Sequence, residues 1–301
     1  MSATLSILCP VDFSDASAGA LRYAAAIAEH FGARVIVLTV EDPLLTTALD
    51  VGTGVYWTPE LSKEQIEQFA VDTLGQTRVT LARCEYEAAV GKPPVEILRV
   101  ARARGCDAIV MSSHGLTGAR KLFFGSTTER VLRETTVPVL VTPADDRGPL
   151  RLEDAAQKIR CVAVPVDLSP SSAYQTDVAR RIAEALGRPL LLIHVIEPVR
   201  SRLLSRVNVA ALNADRRAVA EDALKQLTAD IPERSRPEAL IAYGDPAEEA
   251  AKVVRDRHAG LVVMGLHGSP VLGPRMGSVT YRILCLSPVL VLALPPQPAS
   301  A

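Results

Sequence analysis

The chain repeats itself once. Pro165-Val166-Asp167-Leu168-Ser169 echoes Pro10-Val11-Asp12-Phe13-Ser14 at a distance of 155 positions, and Gly187 lies 155 positions after Gly32. A repeat of about 150 residues is far longer than a solenoid unit, so it indicates duplication of a whole domain. Any fold proposed for one half must therefore suit the other. The 301 residues give room for two ordinary domains.

Each half reads β-α-β-α-β-α-β-α-β. In the first half the apolar runs Leu5 to Pro10, Ala33 to Val40, Glu85 to Val90, Asp107 to Met111 and Val137 to Thr142 read as strands, most of them buried on both faces. Between them lie helical segments. Ser14 caps the first and Gly32 ends it, and Pro59 to about Ala82 forms the second, weakened by Gly75. Val95 to Arg104 forms the third and Ser126 to Glu134 the last, with Ser126 and Glu129 spaced as a capping box. The second half repeats this from Arg160 onwards, with Ser169-Pro170 as a helix start. Alternation of this kind predicts a parallel sheet with helices on both faces and right-handed crossovers. The expected division is a first domain over 1–146, a polar, turn-rich linker over 147–158 and a second domain over 159–301.

One stretch in each half has the grammar of an anion site. Met111-Ser112-Ser113-His114-Gly115 ends a buried run in a turn, and nine residues later Gly125-Ser126-Thr127 opens a helix. A helix start offers unpaired N–H groups to a phosphate. The second copy is Met264-Gly265-Leu266-His267-Gly268, with Gly277-Ser278 after eight residues. Ligands of doubly wound sheets sit at the carboxyl ends of the strands, which is where Asp12, Val40 and the Ser112–Gly115 turn fall.

Composition narrows the function. Hydrophobic residues make up 48% and charged residues 22%, the balance of a globular protein with a real core. The formal net charge of −1 argues against a nucleic-acid binder. The five cysteines are scattered, with no C-x-x-C, and read as small buried hydrophobes in a reducing compartment. No run of 18 apolar residues and no leader pattern occur, so a cytoplasmic protein away from the membrane is expected. The histidines and cysteines never fall at zinc spacing, and neither a Walker A sequence nor a Rossmann fingerprint follows the first strand.

Taken together, Pro10-Val11-Asp12-Phe13-Ser14, the Val40-Glu41 strand end, and Gly-x-x-Gly followed by nine residues and Gly-Ser resemble the universal stress protein family in its tandem form. The resemblance implies two Rossmann-like, adenine-nucleotide-binding α/β domains. Each would have a five-stranded parallel sheet, with the last strands pairing in a pseudo-dimer. Some members of the family bind ATP and others bind no nucleotide. On the family pattern the first glycine of Gly-x-x-Gly falls at Ser112, where serine carries a steric cost if φ must be positive. In the second half Gly265 and Gly268 match, but the loop is one residue short and holds Pro270 and Pro274, which lack backbone donors.

The resemblance implies an adenine-nucleotide site at Pro10, Val11, Asp12, Val40, Ser112, His114, Gly115, Gly125, Ser126 and Thr127. Its copy comprises Pro165, Val166, Asp167, Val195, Gly265, His267, Gly268, Gly277, Ser278 and Val279. Asp12 and Asp167 either sit beside the adenosine or order the turn. His114 and His267 support the turn or the ligand edge, with no partner at catalytic spacing. His194, inside a strand, reads as a core histidine. Arg120, Lys121 and Arg275 either neutralise phosphate or form a solvated face. The expected function is a stress-response or regulatory protein that binds ATP or AMP (or ADP), with Mg accompanying the phosphates, in the first half in preference to the second. The alternatives are a nucleotide-free scaffold that binds another ligand and, last, a weak ATPase. No metal site and no catalytic residue are expected. The implied partners are the nucleotide, a second copy of the chain and a protein that responds to occupancy.

Overall fold

The computed structural model describes residues 4–41, 59–75, 81–114, 125–149, 151–198, 209–266, 276–287 and 289–296. It divides into two compact units, Met1–Gln157 and Lys158–Ala301.

The first unit carries β1 (Ser6–Pro10), α1 (Asp15–Phe31), β2 (Arg34–Glu41), α2 (Pro59–Leu74), β3 (Cys84–Val90), α3 (Pro93–Ala103), β4 (Ala108–Ser112), α4 (Ser126–Glu134) and β5 (Val139–Thr142). The strands are parallel in the order β3-β2-β1-β4-β5. The register sets Leu8 beside Ile36 on one flank and Ile109 on the other. All three residues are fully buried, as continuous apolar runs in a two-sided parallel sheet require. Because β1 lies mid-sheet and the chain crosses from β3 to the far side of β1 to form β4, the carboxyl ends of β1 and β4 diverge and leave a crevice between them.

The second unit begins at the end of α5 (Leu152–Lys158) and repeats this plan. It runs β6 (Val162–Pro165), α6 (Ser171–Leu186), β7 (Leu190–Ile196), α7 (Val209–Leu227), β8 (Glu238–Tyr243), α8 (Pro246–Asp256), β9 (Leu261–Gly265), α9 (Ser278–Leu286) and β10 (Leu290–Leu294). A short 3-10 turn, Glu233–Ser235, precedes β8. The parallel order is β10-β9-β6-β7-β8, the same order in chain terms as the first unit.

Local chemistry explains most boundaries. The Ser14 side chain accepts from Ser17 N–H and starts α1, while Gly32 at φ +66° and Gly187 at φ +61° end α1 and α6 in the left-handed conformation. Gly75, at φ +71°, stops α2 at Leu74, so the helix expected to reach Ala82 ends earlier. Asp245 caps α8, accepting from Ala247 and Glu248 N–H. Ser169 does not cap α6: its hydroxyl meets Ser171 Oγ at 2.8 Å, and the helix starts after Pro170 with no side-chain cap.

Two further features brace each unit. Arg104, just past α3, pairs with Glu85 and Glu87 of β3, and Arg257, just past α8, pairs with Glu238 of β8. The segment after β5, expected to begin a linker, packs on α1 as far as residue 148. Tyr23 donates to Asp146 Oδ2 at 2.7 Å, Arg22 donates to Arg147 O at 2.7 Å, and a Cβ at Gly19 would collide with the Asp146 carbonyl. In the second unit a Cβ at Gly260 would lie 2.6 Å from Ile159 Cα. No helix among the described residues is long and apolar enough to cross a membrane.

These contacts predict that Gly19→Ala and Gly260→Ala each destabilise their unit by about 1–3 kcal/mol in denaturant titrations, because backbone must move to admit the methyl. The thiols give a second check. Burial pushes the Cys9, Cys106 and Cys161 thiols up, away from the reactive thiolate. Iodoacetamide at pH 8 is expected to spare these three in the native protein and to label all five cysteines in guanidinium, read by mass spectrometry.

Candidate functional site

The site is built from the turn that leaves the central strand. In the first unit Val11 N–H donates to Leu38 O at 2.8 Å, and Thr39 Oγ1 donates back to Val11 O at 3.2 Å. Asp12 then accepts from Ser14 N–H at 3.2 Å and Ser14 Oγ at 2.5 Å. Between them Phe13 stands at φ +63°, an uncommon position for a bulky side chain, with its ring edge-on to Phe69 at 5.4 Å. The second unit matches. Val166 N–H donates to Ile193 O at 2.9 Å, Asp167 accepts from Ser169 N–H at 2.9 Å and Ser172 Oγ at 3.1 Å, and Leu168 stands at φ +60°. In both units the aspartate orders this turn.

A second element converges on the turn. Ser113 N–H donates to Thr142 O, and Gly125 N–H returns to Ser113 O, each at 2.9 Å. Thr128, in the first turn of α4, donates to Ser112 O at 2.9 Å and ties helix to strand end. Ser112 Oγ donates to His114 O at 2.6 Å, and His114 Nδ1 lies 3.0 Å from Ser113 Oγ. In the second unit Leu266 N–H donates to Leu294 O at 2.9 Å, Gly277 N–H to Leu266 O at 3.2 Å, and Thr280 Oγ1 to Gly265 O at 3.2 Å.

Both helices start at a glycine that has no side chain to cap them. Ser126 is the first helical residue and Glu129 pairs with Arg133, so the expected capping box does not form. The first turn therefore keeps backbone donors available to an anion. The steric cost foreseen at Ser112 does not arise. Ser112 and Gly265 are the last residues of extended strands, and neither has positive φ. Gly115, His267 and Gly268 lie outside the described residues, as do Arg120, Lys121 and Arg275.

In the second unit these pieces wall a cavity of about 650 Å³. Pro165, Val166, Asp167, Val195, Gly265, Gly277, Ser278 and Val279 all line it. So do residues that the sequence did not single out: Leu168, Gln175, and Asp215 and Arg216 of α7. Arg216 Nη1 donates to Glu197 O at 2.6 Å and latches α7 to the end of β7. His194 is also on this wall, half-buried, with Nδ1 3.0 Å from Val166 O. The expectation of a core histidine is corrected: the ring reaches from β7 over the carboxyl end of β6, where the sheet gives way to the crevice. The signal was present in the sequence, since Thr39, at the matching place in the first half, is likewise polar inside an apolar run. No group of three His, Cys, Asp or Glu side chains able to hold a metal occurs among the described residues.

The Universal stress protein family model matches this chain twice, over residues 5–143 and 158–295. The chain belongs to the universal stress protein family. A universal stress protein of Mycolicibacterium smegmatis is 26% identical over 306 residues, covering 95% of this chain and 96% of that protein. One from Methanocaldococcus jannaschii is 31% identical over 135 residues, covering 45% of this chain and 79% of its own length. A solved universal stress protein from Archaeoglobus fulgidus has a TM-score of 0.60 at 20% identity, covering 96% of this chain and 98% of its own. At that identity the likeness speaks to fold alone. A universal stress protein domain thus occurs twice in the chain, each time as an α/β unit with a parallel sheet.

The strand-to-helix tie is open to test. Thr128→Val keeps the shape but leaves the Ser112 carbonyl without its donor, so a loss of about 1–2 kcal/mol is expected in urea unfolding, with the circular dichroism spectrum unchanged.

Proposed function

We propose that this universal stress protein is a regulatory binder of adenine nucleotide, ATP or AMP, held at the carboxyl-end crevice of its sheets and not turned over. The observation that carries this reading is the second-unit cavity. Its volume of about 650 Å³ falls within the range of roughly 300–1,000 Å³ usual for small-molecule sites. Every described member of the second motif set takes part in its lining. Val166, Ile193 and Val195 offer an apolar wall to a base, and the uncapped start of α9 offers backbone N–H groups to a phosphate. The first unit repeats the turn geometry, and its phosphate loop is one residue longer by sequence and free of proline. That loop supports ATP in the first unit.

Binding to the folded state stabilises it by RT ln(1 + [L]/Kd), roughly 2.7 kcal/mol at a hundredfold excess over Kd. Thermal melting is expected to rise with ATP-Mg or AMP. Mass spectrometry of freshly purified protein is expected to find an adenine nucleotide. No shift with either ligand and no co-purified nucleotide would overturn the proposal and leave the scaffold reading in its place.

A further inference from the structure

The first helix of each unit lays the same face on its sheet, but the two faces differ in chemistry. In the first unit α1 packs on β1 and β4, and Ala20 on that face is fully buried. In the second unit α6 packs on β6 and β9, and the matching place, 155 positions on, holds Gln175, only 6% exposed. Burying an amide costs free energy unless partners meet it. Ser172, three residues earlier on α6, is met: its hydroxyl donates to Asp167 Oδ1 at 3.1 Å. Gln175 is not. Among the described residues its amide makes one contact, and a long one, Nε2 donating to Ser171 Oγ at 3.4 Å. Its oxygen accepts nothing there, yet it is not one of the polar atoms sealed without a partner, because Gln175 lines the cavity of about 650 Å³. The second crevice therefore has a buried amide with unused hydrogen-bonding capacity on its wall, where the first has a methyl group.

The chemistry of the amide points to the part of a ligand it suits. A glutamine offers an acceptor and donors side by side in one plane, and no charge at any pH of interest. A phosphate is better met by the N–H groups at the start of α9, where Gly277 and Ser278 line the same cavity. An amide matches a neutral group that sets a donor beside an acceptor. A nucleotide has two of these, the amino edge of adenine and the diol of ribose, and the pairing of glutamine with the adenine N6 and N7 atoms is the familiar instance.

We infer that Gln175 is a ligand-contacting residue of the second crevice, its amide hydrogen-bonding a neutral donor–acceptor pair on the bound nucleotide, and that the first crevice lacks this contact. The inference rests on the adenine-binding reading above and deepens it, by naming a determinant that the two units do not share.

Calorimetric titration of the full chain, with whichever of AMP and ATP binds better, tests this. Gln175→Ala restores the first unit's residue, and Gln175→Met keeps the length without the amide. Each is expected to weaken the nucleotide about tenfold, the worth of one hydrogen bond. Gly277→Val marks the site. Gly277 has an ordinary φ of −61°, and a Cβ there comes no nearer than 3.6 Å to Thr280 Oγ1, so the backbone tolerates the change while the branch enters the cavity. In a Gly277→Val background the Gln175 variants are expected to have no further effect. The inosine counterpart of the ligand lacks the amino group, and the 2′,3′-dideoxy counterpart lacks the diol. The penalty of Gln175→Ala is expected to vanish with at least one of them, which identifies the partner. Affinity unchanged by both Gln175 variants, or a penalty equal for all three ligands, would overturn the inference and leave adenine binding standing. Absence of both AMP and ATP binding from the wild type would overturn the adenine reading with it.

Discussion

Each unit depends on one held carbonyl. The central strand has to stop and turn at the carboxyl edge of the sheet, and its last peptide groups leave the ladder there. Val11 and Val166 both donate into the neighbouring strand while their carbonyls accept a side chain from it. That double contact fixes the direction of the next peptide. An aspartate then locks the following residue at a positive φ that neither phenylalanine nor leucine adopts readily. The first helix and the crevice mouth take their places from this turn. A strained residue kept in both copies is consistent with a turn shaped for a ligand as well as for folding.

Much of this was legible from residue types. The order of elements, the duplication, the cap at Ser14 and the glycine stops at Gly32 and Gly187 rest on local rules, because a helix end is decided within a few residues. Other features were not local. Nothing in the sequence around Gly19 or Gly260 reports that another backbone passes within van der Waals distance. The mistaken cap at Ser169 and the missing capping box at Ser126 share one cause. In each case another residue, Pro170 or Gly125, takes the N-cap position, so the hydroxyl is not where a capping residue would hold it. Sequence spacing gives the candidates for a cap, but the residue at which the helix begins chooses among them.

The site divides in the same way. The glycines, the aspartates and the strand ends could be listed from their motif. His194 and Arg216 could not be placed by spacing, since their role depends on which face of the strand and which turn of α7 meets the crevice. Comparison of the two halves supplies what one half alone lacks. Where Thr39 and His194 share a partner but not a length, the duplicated scaffold is held constant and the difference lies in the wall of the cavity.

The arginines that follow α3 and α8 have a consequence outside the crevice. β3 and β8 each end a unit's strand order, and a terminal strand offers open backbone groups to any extended chain that passes. Glu85 and Glu87 on the one, and Glu238 on the other, keep charge on that strand, and Arg104 and Arg257 hold it in place. A chain that sought to extend the sheet there would have to bring its own side chains past paired ions, in a register set by someone else's charges. The clasp thus acts as a guard against indiscriminate β-pairing at the strand that each unit leaves without a second neighbour.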